Sequence, residues 1–336
     1  MNFRQQALVF IVISPAIWFI NFISIHPSNI LDRMDKSSAI PPLSPRLVQI
    51  SGTIWVYSAF LENFRYSDNV TVVTVLSVAD DAIKKQPFEC RIELATGEGV
   101  EAAVTVVKIE DKYRLKYDLW NVCKASAILR TRPVRVTISS NNSEPVTIPV
   151  AREQGFVGQV GCCLAGPLWR DGAGDKGVMD LIGWVEFQRM LGVEKILVYA
   201  MRQRGEIRLA LDHYIREGVM EVTEWNFPIS NTDFRYFGQN LLINDCLYRS
   251  RDLFNYTIFI DLDETFVPVL HDKFTDLLEN LTESKVSAFS LTNRFHHTHW
   301  KVPHSSLQSL YPSLTRIPDM QQVVLTHKVR PAHHYK

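Results

Sequence analysis

The chain has 336 residues, which is enough for two domains of ordinary size. Its 36 Lys and Arg residues balance 36 Asp and Glu residues, whereas a general nucleic-acid binder carries a basic excess. A hydrophobic share of 46%, with 7 Trp, 11 Tyr and 18 Phe, also excludes a mostly disordered protein.

The first element is an apolar stretch, Ala7 to Ile25, that contains no charged side chain. Its length matches the roughly 20 residues that a helix needs to cross a bilayer. A signal anchor, a cleaved signal peptide and a buried core helix all fit it, and the lack of a small-residue cleavage site favours the anchor. Arg4 before the stretch predicts a cytosolic N-terminus. We expect a cytosolic tail and transmembrane anchor in residues 1–27, followed by a Pro- and Ser-containing stem in residues 28–48.

Sequons for N-glycosylation agree with a lumenal position for the rest of the chain. They begin at Asn69, Asn141, Asn255 and Asn280. Chance alone supplies roughly two in a chain of this length. The sequence therefore predicts a lumenal glycoprotein.

The chain has five cysteines, an odd number, so at least one thiol is free or paired with another chain. We expect one disulfide between Cys90 and Cys123. We expect a second disulfide from Cys246 to either Cys162 or Cys163, and the sequence leaves these two pairings open.

Residues 49–151 are predicted to form a β-rich module. Runs rich in Val, Thr and Ile are broken by Gly, Pro, Asp and Asn, which is typical of antiparallel strands. About seven strands fit, enough for a small sandwich. No residue in this module indicates catalysis, so it either binds carbohydrate or braces its neighbour, and we favour bracing.

From residue 152 onward, strands and helices alternate. Strands are predicted to begin near Val157, Lys195, Val219, Tyr256 and Val286, with helices over 178–192, around 207–215, over 238–252 and over 271–281. This order predicts an α/β domain with a mostly parallel sheet and helices on both faces.

The strand that begins at Tyr256 ends in the acidic sequence Asp261-Leu-Asp263-Glu264. Ligand sites of open α/β sheets lie at the carboxyl ends of the strands. In extended backbone, Asp261 and Asp263 point to the same side, where two carboxylates repel each other unless a cation neutralises them. Oxygen ligands suit Mg²⁺ or Mn²⁺, which also bind diphosphates. A surface acidic turn without a ligand is the alternative.

Two classes of enzyme use such a sequence. In nucleotide-sugar transferases with the GT-A fold, Asp-x-Asp binds a cation on the donor diphosphate. In haloacid-dehalogenase-type phosphatases, the string that ends at Thr265 reads Asp-x-Asp-x-Thr, and the first Asp is a covalent nucleophile. The phosphatase fold begins with this strand and needs a later acidic pair, whereas here several strand–helix units precede it and no adjacent Asp pair follows. We favour the transferase.

Segments over residues 152–328 resemble glycosyltransferase family 92. In chain order the matching pieces are Glu186–Phe187, Leu191–Ile196, Tyr199, Tyr214, Gly218, Trp225, Gln239, Asn244–Arg249, Phe259–Glu264, Pro268 and Arg316–His327. Their order and spacing over about half of the chain carry the resemblance, because Asp-x-Asp alone is common. Residues 152–336 would then form a GT-A (Rossmann-like) catalytic domain.

The resemblance implies an inverting, metal-dependent transfer of galactose from UDP-galactose to a glycan hydroxyl. The cation would be Mn²⁺ or Mg²⁺. On this sequence, Asp263 and His327 would ligate the cation directly. Asp261, the third residue of the metal site, would contact the ribose or a metal-bound water. A carboxylate base would activate the acceptor hydroxyl, and Glu264 and Asp319 are the candidates.

Four polar residues of the helix before the acidic strand are candidates for binding the donor nucleotide. They are Gln239, Asn240, Asn244 and Asp245. The alternative is that they bridge the helix and the sheet.

The histidine-rich segment 295–304 is predicted to be a solvated loop rather than a zinc site. Within it, Trp300 would be a platform for the acceptor sugar. The full prediction is a GT-A domain preceded by an antiparallel β-sandwich-like module and a membrane anchor. We expect a single-pass type II Golgi membrane protein that acts on a glycan or glycoprotein and has no nucleic-acid partner. The alternative is an inactive lumenal carbohydrate-binding or structural protein on the same scaffold.

Overall fold

The structure, a computed structural model, describes residues 7–10, 46–62, 71–85, 87–109, 116–127, 131–140, 143–151, 155–168, 175–266, 271–281 and 288–290. The strands are β1 (Ala7–Phe10), β2 (Val48–Ser51), β3 (Ile54–Glu62), β4 (Thr71–Ala79), β5 (Phe88–Leu94), β6 (Gly99–Ala102), β7 (Val107–Lys108), β8 (Asp118–Ala127), β9 (Pro133–Ser140), β10 (Val146–Pro149), β11 (Gly158–Leu164), β12 (Lys195–Ala200), β13 (Met220–Glu224), β14 (Phe254–Ile260) and β15 (Ala288–Ser290). The helices are α1 (Asp175–Met190), α2 (Gly205–Arg216), α3 (Gln239–Ser250) and α4 (Phe274–Leu281).

The β-rich module consists of two antiparallel sheets. One has the order β2-β3-β4-β8-β7 and the other the order β10-β9-β5-β6. Alternate side chains meet between them in an apolar core, among them Val73, Val75, Ile92, Val136 and Ile138. The prediction of an antiparallel, sandwich-like module is confirmed. Its described residues form nine strands, β2 to β10, rather than about seven.

The second part of the chain is built around a parallel sheet with the order β13-β12-β11-β14-β1-β15. Every strand pair in this sheet is parallel. Parallel strands are covered on both faces, which explains why β11, β12 and β14 are almost continuously apolar. The predicted α/β architecture is confirmed.

Side chains of the central strands alternate between two cores. In β11, Cys162 and Leu164 pack among the residues of α1, α2 and α4. Cys163, together with Ala165 just after the strand, packs on the other face, against α3 and residues of the β-rich module. The second face is therefore covered by one helix and by the five-stranded sheet of the module.

The module and the parallel sheet share this second core. The ring of Phe60 stacks on Tyr248 of α3, with 4.9 Å between ring centroids. Tyr57 contacts Trp225, just after β13, edge to face at 5.2 Å. Phe60, Tyr57 and Trp225 are buried between the two parts and Tyr248 is half-buried, so the contacts support the interpretation that the module braces its neighbour.

The N-terminal stretch differs from its prediction. Ala7–Phe10 forms strand β1, paired in parallel with β14 and β15, and does not begin a helix. A short apolar run fits a buried parallel strand as well as a helix, because hydrophobicity alone does not separate them. Among the helices of the described residues, none has the length and hydropathy needed to cross a bilayer. Residues 11–27 of the predicted anchor and 28–45 of the predicted stem lie outside the described ranges.

The shared core predicts that the two parts unfold together. Phe60→Ala removes a ring that is 2% exposed and should lower the free energy of unfolding by about 3–5 kcal/mol. Urea unfolding of the unmodified chain and of Phe60→Ala, monitored by far-ultraviolet circular dichroism and by Trp fluorescence, measures this loss.

We expect one transition that shifts in both signals. As a control, Val107→Ala removes a side chain that is 43% exposed and should change stability by less than about 0.5 kcal/mol. Two separate transitions, with only one displaced by Phe60→Ala, would show that the parts are energetically independent.

Candidate active site

The candidate site lies where β11 and β14 end side by side. The N–H of Ala165 donates to the carbonyl oxygen of Ile260 at 2.8 Å, so the segments that follow the two strands leave the sheet side by side. Gly166 follows the first strand and Asp261 follows the second. This is the carboxyl edge of the parallel sheet, where open α/β folds bind their ligands.

The acidic sequence forms a tight turn rather than a continuation of the strand. The N–H of Glu264 donates to the carbonyl oxygen of Asp261 at 3.1 Å, and the N–H of Asp261 donates to Glu264 Oε2 at 3.2 Å. Trp184 of α1 supports the turn, since its Nε1–H donates to the carbonyl oxygen of Glu264 at 3.1 Å. The expectation of extended backbone through Asp263 is therefore wrong, and Asp263 lies exposed at the corner of the turn.

The turn nevertheless concentrates negative charge. Burial, followed by the charges of Glu264 and Asp263, raises the pKa of Asp261 to about 6. Each of these effects disfavours the ionised carboxylate. The local potential is therefore negative, and a bound cation would relieve it.

Gln239 and Asp261 come together beside Gly166. A Cβ placed on Gly166 would lie 3.2 Å from Asp261 Oδ1 and 3.7 Å from Gln239 Nε2. Both side chains thus approach the same point of the backbone, and the absence of a side chain on Gly166 leaves room for them. Of the four candidate donor-binding residues, Gln239 is placed next to the acidic turn.

The other three candidates lie further along α3. Asn244 is half-buried, and its Nδ2 donates to the carbonyl oxygen of Asn240, which is also half-buried, at 2.9 Å. Asp245 is fully buried and accepts hydrogen bonds from the Tyr199 hydroxyl at 2.5 Å and from Arg249 Nε at 2.6 Å. As a correction to the sequence prediction, Asp245 belongs to the interior. It joins α3 to β12 and is not open to a donor nucleotide.

A disulfide joins strand β11 to helix α3. Of the two pairings left open for Cys246, the structure contains the one with Cys163. The neighbouring Cys162 is free and buried on the opposite face, and burial raises the pKa of its thiol. Cys90 is also half of a disulfide, whereas the side chain of Cys123 lies outside the described residues.

Several predicted site residues lie outside the described ranges. They are Trp300, Asp319, His327, Asn69, Asn141 and the side chain of Asn280. Asn255 is described, on β14, and its Nδ2 donates to Gln159 Oε1. Within the described residues, no three His, Cys, Asp or Glu side chains form a group that could hold a metal ion by themselves.

Comparison with known proteins identifies the family that this part of the chain matches. The family model described as glycosyltransferase family 92 matches residues 174–329, a range that includes α1, α3 and the acidic turn. Residues 174–329 belong to glycosyltransferase family 92. The family predicted from the sequence is thus confirmed for these residues.

Two relatives of the family 92 domain carry more specific names. A beta-1,4-galactosyltransferase of Caenorhabditis elegans is 28% identical over 95 residues, which are 28% of this chain and 22% of that protein. A galactan beta-1,4-galactosyltransferase of Arabidopsis thaliana is 36% identical over 91 residues, which are 27% of this chain and 16% of that protein. The chain therefore matches about a fifth of the length of these relatives.

Two residues of the site were not predicted from the sequence. Gly166 lies just before the matched family 92 range. The available signal was a glycine near the end of the apolar run that begins at Val157, which was predicted to be part of the strand. Trp184 has no such signal, because an indole in an amphipathic helix looks like any core residue. Its role appears only when α1 is packed beside the acidic turn.

The buried pair in α3 predicts a large loss of stability on mutation. Asp245→Ala leaves the Arg249 guanidinium, whose side chain is 19% exposed, without its carboxylate, and should lower the free energy of unfolding by about 3–5 kcal/mol. Chemical denaturation at neutral pH measures this loss. Glu93→Ala, which removes the exposed ion pair with Arg135, is the control and should cost less than about 1 kcal/mol. Equal effects of the two substitutions would contradict the structural role of Asp245.

The crowded carboxylates predict a pH-dependent gain of stability for Asp261→Asn. The folded-state pKa of Asp261, about 6, lies above its ordinary value of 3.8, so the folded protein is penalised as this group ionises. Near pH 4 the two proteins should be equally stable. Between pH 4 and pH 6 the free energy of unfolding of the variant should rise above that of the unmodified chain. Above pH 6 the difference should reach about 1 kcal/mol and no more, because solvent screens a partly exposed group.

Urea unfolding with EDTA present, at several pH values from 4 to 8, tests this prediction. Asp272→Asn replaces an exposed carboxylate outside the turn and serves as the control. A gain for Asp261→Asn that is constant with pH, or largest at pH 4, would refute the electrostatic explanation.

Proposed function

We propose that this chain transfers galactose from UDP-galactose to a hydroxyl group of a glycan, with inversion at the sugar. The family 92 domain and the names of the two galactosyltransferase relatives support this proposal. The observation that carries it is the acidic turn at the carboxyl edge of the parallel sheet, with Gln239 and Asp261 converging on Gly166. A sugar nucleotide fits such an edge, which is a general ligand position in open α/β sheets.

A divalent cation, Mn²⁺ or Mg²⁺, fits the residues of the turn. Asp261 and Asp263 offer carboxylate oxygens, which both cations accept. Burial, followed by the charges of Glu264 and Asp263, raises the pKa of Asp261, and a cation would offset these effects. These two residues, with His327, would hold the ion. When bound, the cation would offset the charge that develops on the departing UDP.

The residues of the chain supply position and proton transfer. Gln239 would orient the donor beside Asp261, and Gly166 would let the donor approach the backbone. Glu264 and Asp319 are the candidate bases for the acceptor hydroxyl, with Trp300 as a platform for the acceptor sugar. Because one Oε of Glu264 already accepts the N–H of Asp261, this residue also fixes the turn.

A lumenal position in the Golgi is part of the proposal. The Cys163–Cys246 disulfide supports an oxidising compartment, since cytosolic proteins rarely keep such bonds. A membrane anchor over Ala7 to Ile25 is not part of this proposal, because Ala7–Phe10 forms β1 between β14 and β15 of the parallel sheet.

Incubation of the chain with UDP-galactose, Mn²⁺ and an array of glycans tests the proposal. We expect galactosylated product on a subset of glycans. Asp263→Ala should reduce the rate by at least about a hundredfold, because it removes a carboxylate that is proposed to bind the cation. Binding of Mn²⁺ without donor, followed by its electron paramagnetic resonance spectrum, should weaken in the same variant.

Asp276→Ala in α4 is the matched control, since it removes a carboxylate from a helix outside the site. It should leave both signals unchanged. Equal product from Asp263→Ala and the unmodified chain, or full product in EDTA, would refute the metal-dependent mechanism. Binding of glycans by a chain that forms no product with any sugar nucleotide would favour the inactive carbohydrate-binding alternative.

A further inference from the structure

A strained turn lies immediately before the helix that carries Gln239. Tyr236 and Phe237 have φ values of +48° and +52°, and Gly238 follows with +85°. Among the described residues, Tyr236 and Phe237 are the non-glycine residues with positive φ. The left-handed region is unfavourable for bulky side chains, so two successive aromatic residues there need outside support.

The surrounding residues supply this support. Trp225 Nε1–H donates to the carbonyl oxygen of Phe237 at 2.8 Å, and the N–H of Phe237 donates to Asn231 Oδ1 at 3.0 Å. A Cβ on Gly238 would lie only 2.7 Å from the Phe227 ring and 2.8 Å from the Trp225 ring. Trp225 is itself buried and contacts Tyr57 of the β-rich module. The turn is therefore held in one conformation.

The turn lies at the same edge of the sheet as the acidic turn. It belongs to the connection from the carboxyl end of β13 to α3, and its next residue is Gln239, which converges with Asp261 on Gly166. Tyr236 is 49% exposed, although the other aromatic side chains around the turn are buried or half-buried. The strained backbone thus presents a large aromatic side chain to solvent within three residues of the site.

We propose that Tyr236 stacks on a pyranose ring of a bound substrate. This inference rests on the proposed galactosyl transfer and names one more residue that contacts its substrates. Pyranose rings have an apolar face of C–H groups, and a rigid tyrosine ring offers a matching surface with little loss of side-chain entropy. Strain at a backbone position commonly accompanies a functional constraint, and Asn or Gly would fill a left-handed position with less strain.

The ring can belong to the donor galactose or to an acceptor sugar, since the stacking chemistry is the same. Tyr236→Asn keeps a residue that tolerates the left-handed conformation and removes the ring. Tyr236→Phe keeps the ring and should behave like the unmodified chain. The control is Phe156→Asn, because Phe156 is 45% exposed but precedes β11 at the opposite edge, about 20 Å from the site.

Saturation-transfer NMR of the full-length chain with methyl β-galactopyranoside and, separately, with UDP-galactose reads sugar contact without turnover. We expect Tyr236→Asn to lose most of the saturation of the ring protons of one of these sugars. In assays of transfer, the KM for the same substrate class should rise about five- to tenfold, with kcat within twofold. Tyr236→Phe and Phe156→Asn should leave every signal unchanged.

The two KM values distinguish the sources: a rise for UDP-galactose assigns the ring to the donor, and a rise for the glycan assigns it to the acceptor. Trp225→Phe removes the hydrogen bond to Phe237 and should weaken the same saturation signal. The midpoint of thermal unfolding of Tyr236→Asn should be equal to or above that of the unmodified chain, because Asn tolerates the left-handed conformation. Undiminished saturation in Tyr236→Asn, or none in the unmodified chain, overturns the stacking role. Absence of transfer by the unmodified chain, with saturation that depends on Tyr236, would refute the proposed function and leave the sugar contact standing.

Discussion

Electrostatic repulsion among three carboxyl groups at the end of one buried strand is the constraint on which the site depends. Burial of Asp261, followed by the charges of Glu264 and Asp263, raises the pKa of this residue, so bringing the three groups together has a cost. The turn is held by the backbone hydrogen bond from Glu264 to Asp261, by the bond from the N–H of Asp261 to the Glu264 carboxylate, and by the bond from Trp184. The apolar strand β14, buried on both faces, fixes where the turn begins.

Helix α3 connects this turn to the rest of the molecule. Its first residue, Gln239, approaches Asp261, and its middle is bound to the sheet by the Cys163–Cys246 disulfide and the buried Asp245 carboxylate. Its outer face meets the β-rich module through Tyr248 and Phe60. The helix is thus fixed to the sheet by a disulfide and by the hydrogen bond from Tyr199 to Asp245, and to the module by aromatic packing.

The sequence predicted the sheets and helices well because their signals are local. Runs of β-branched residues indicated the module, and strand–helix alternation indicated the parallel sheet that the structure contains. The Asp-x-Asp sequence located the candidate site for the same reason, since it follows an apolar strand. These features depend on neighbours in the chain, which a single sequence displays.

The predictions that failed, and the disulfide pairing that the sequence left open, depend on contacts between distant residues. Asp245 looked like a donor contact because the sequence does not show that Tyr199, 46 positions away, donates to its carboxylate. Ala7–Phe10 has the composition of either a membrane helix or a parallel strand, and only its pairing with β14 distinguishes them. The choice between Cys162 and Cys163 depends on which face of β11 meets α3, a relation that the sequence of the strand does not contain.

The face of the parallel sheet that carries Cys163 and Tyr199 is covered by a β-sheet where comparable open folds place a second layer of helices. A recombinant protein that begins at residue 152 would lack this β-sheet and would expose the apolar surface that the sheet covers. Chimeras that exchange the N-terminal half between relatives would have to carry matched partners for Phe60 and Tyr57. For the same reason, insertions and deletions during the evolution of this protein should accumulate in the loops of the distal four-stranded sheet, whose edge is far from the common interior.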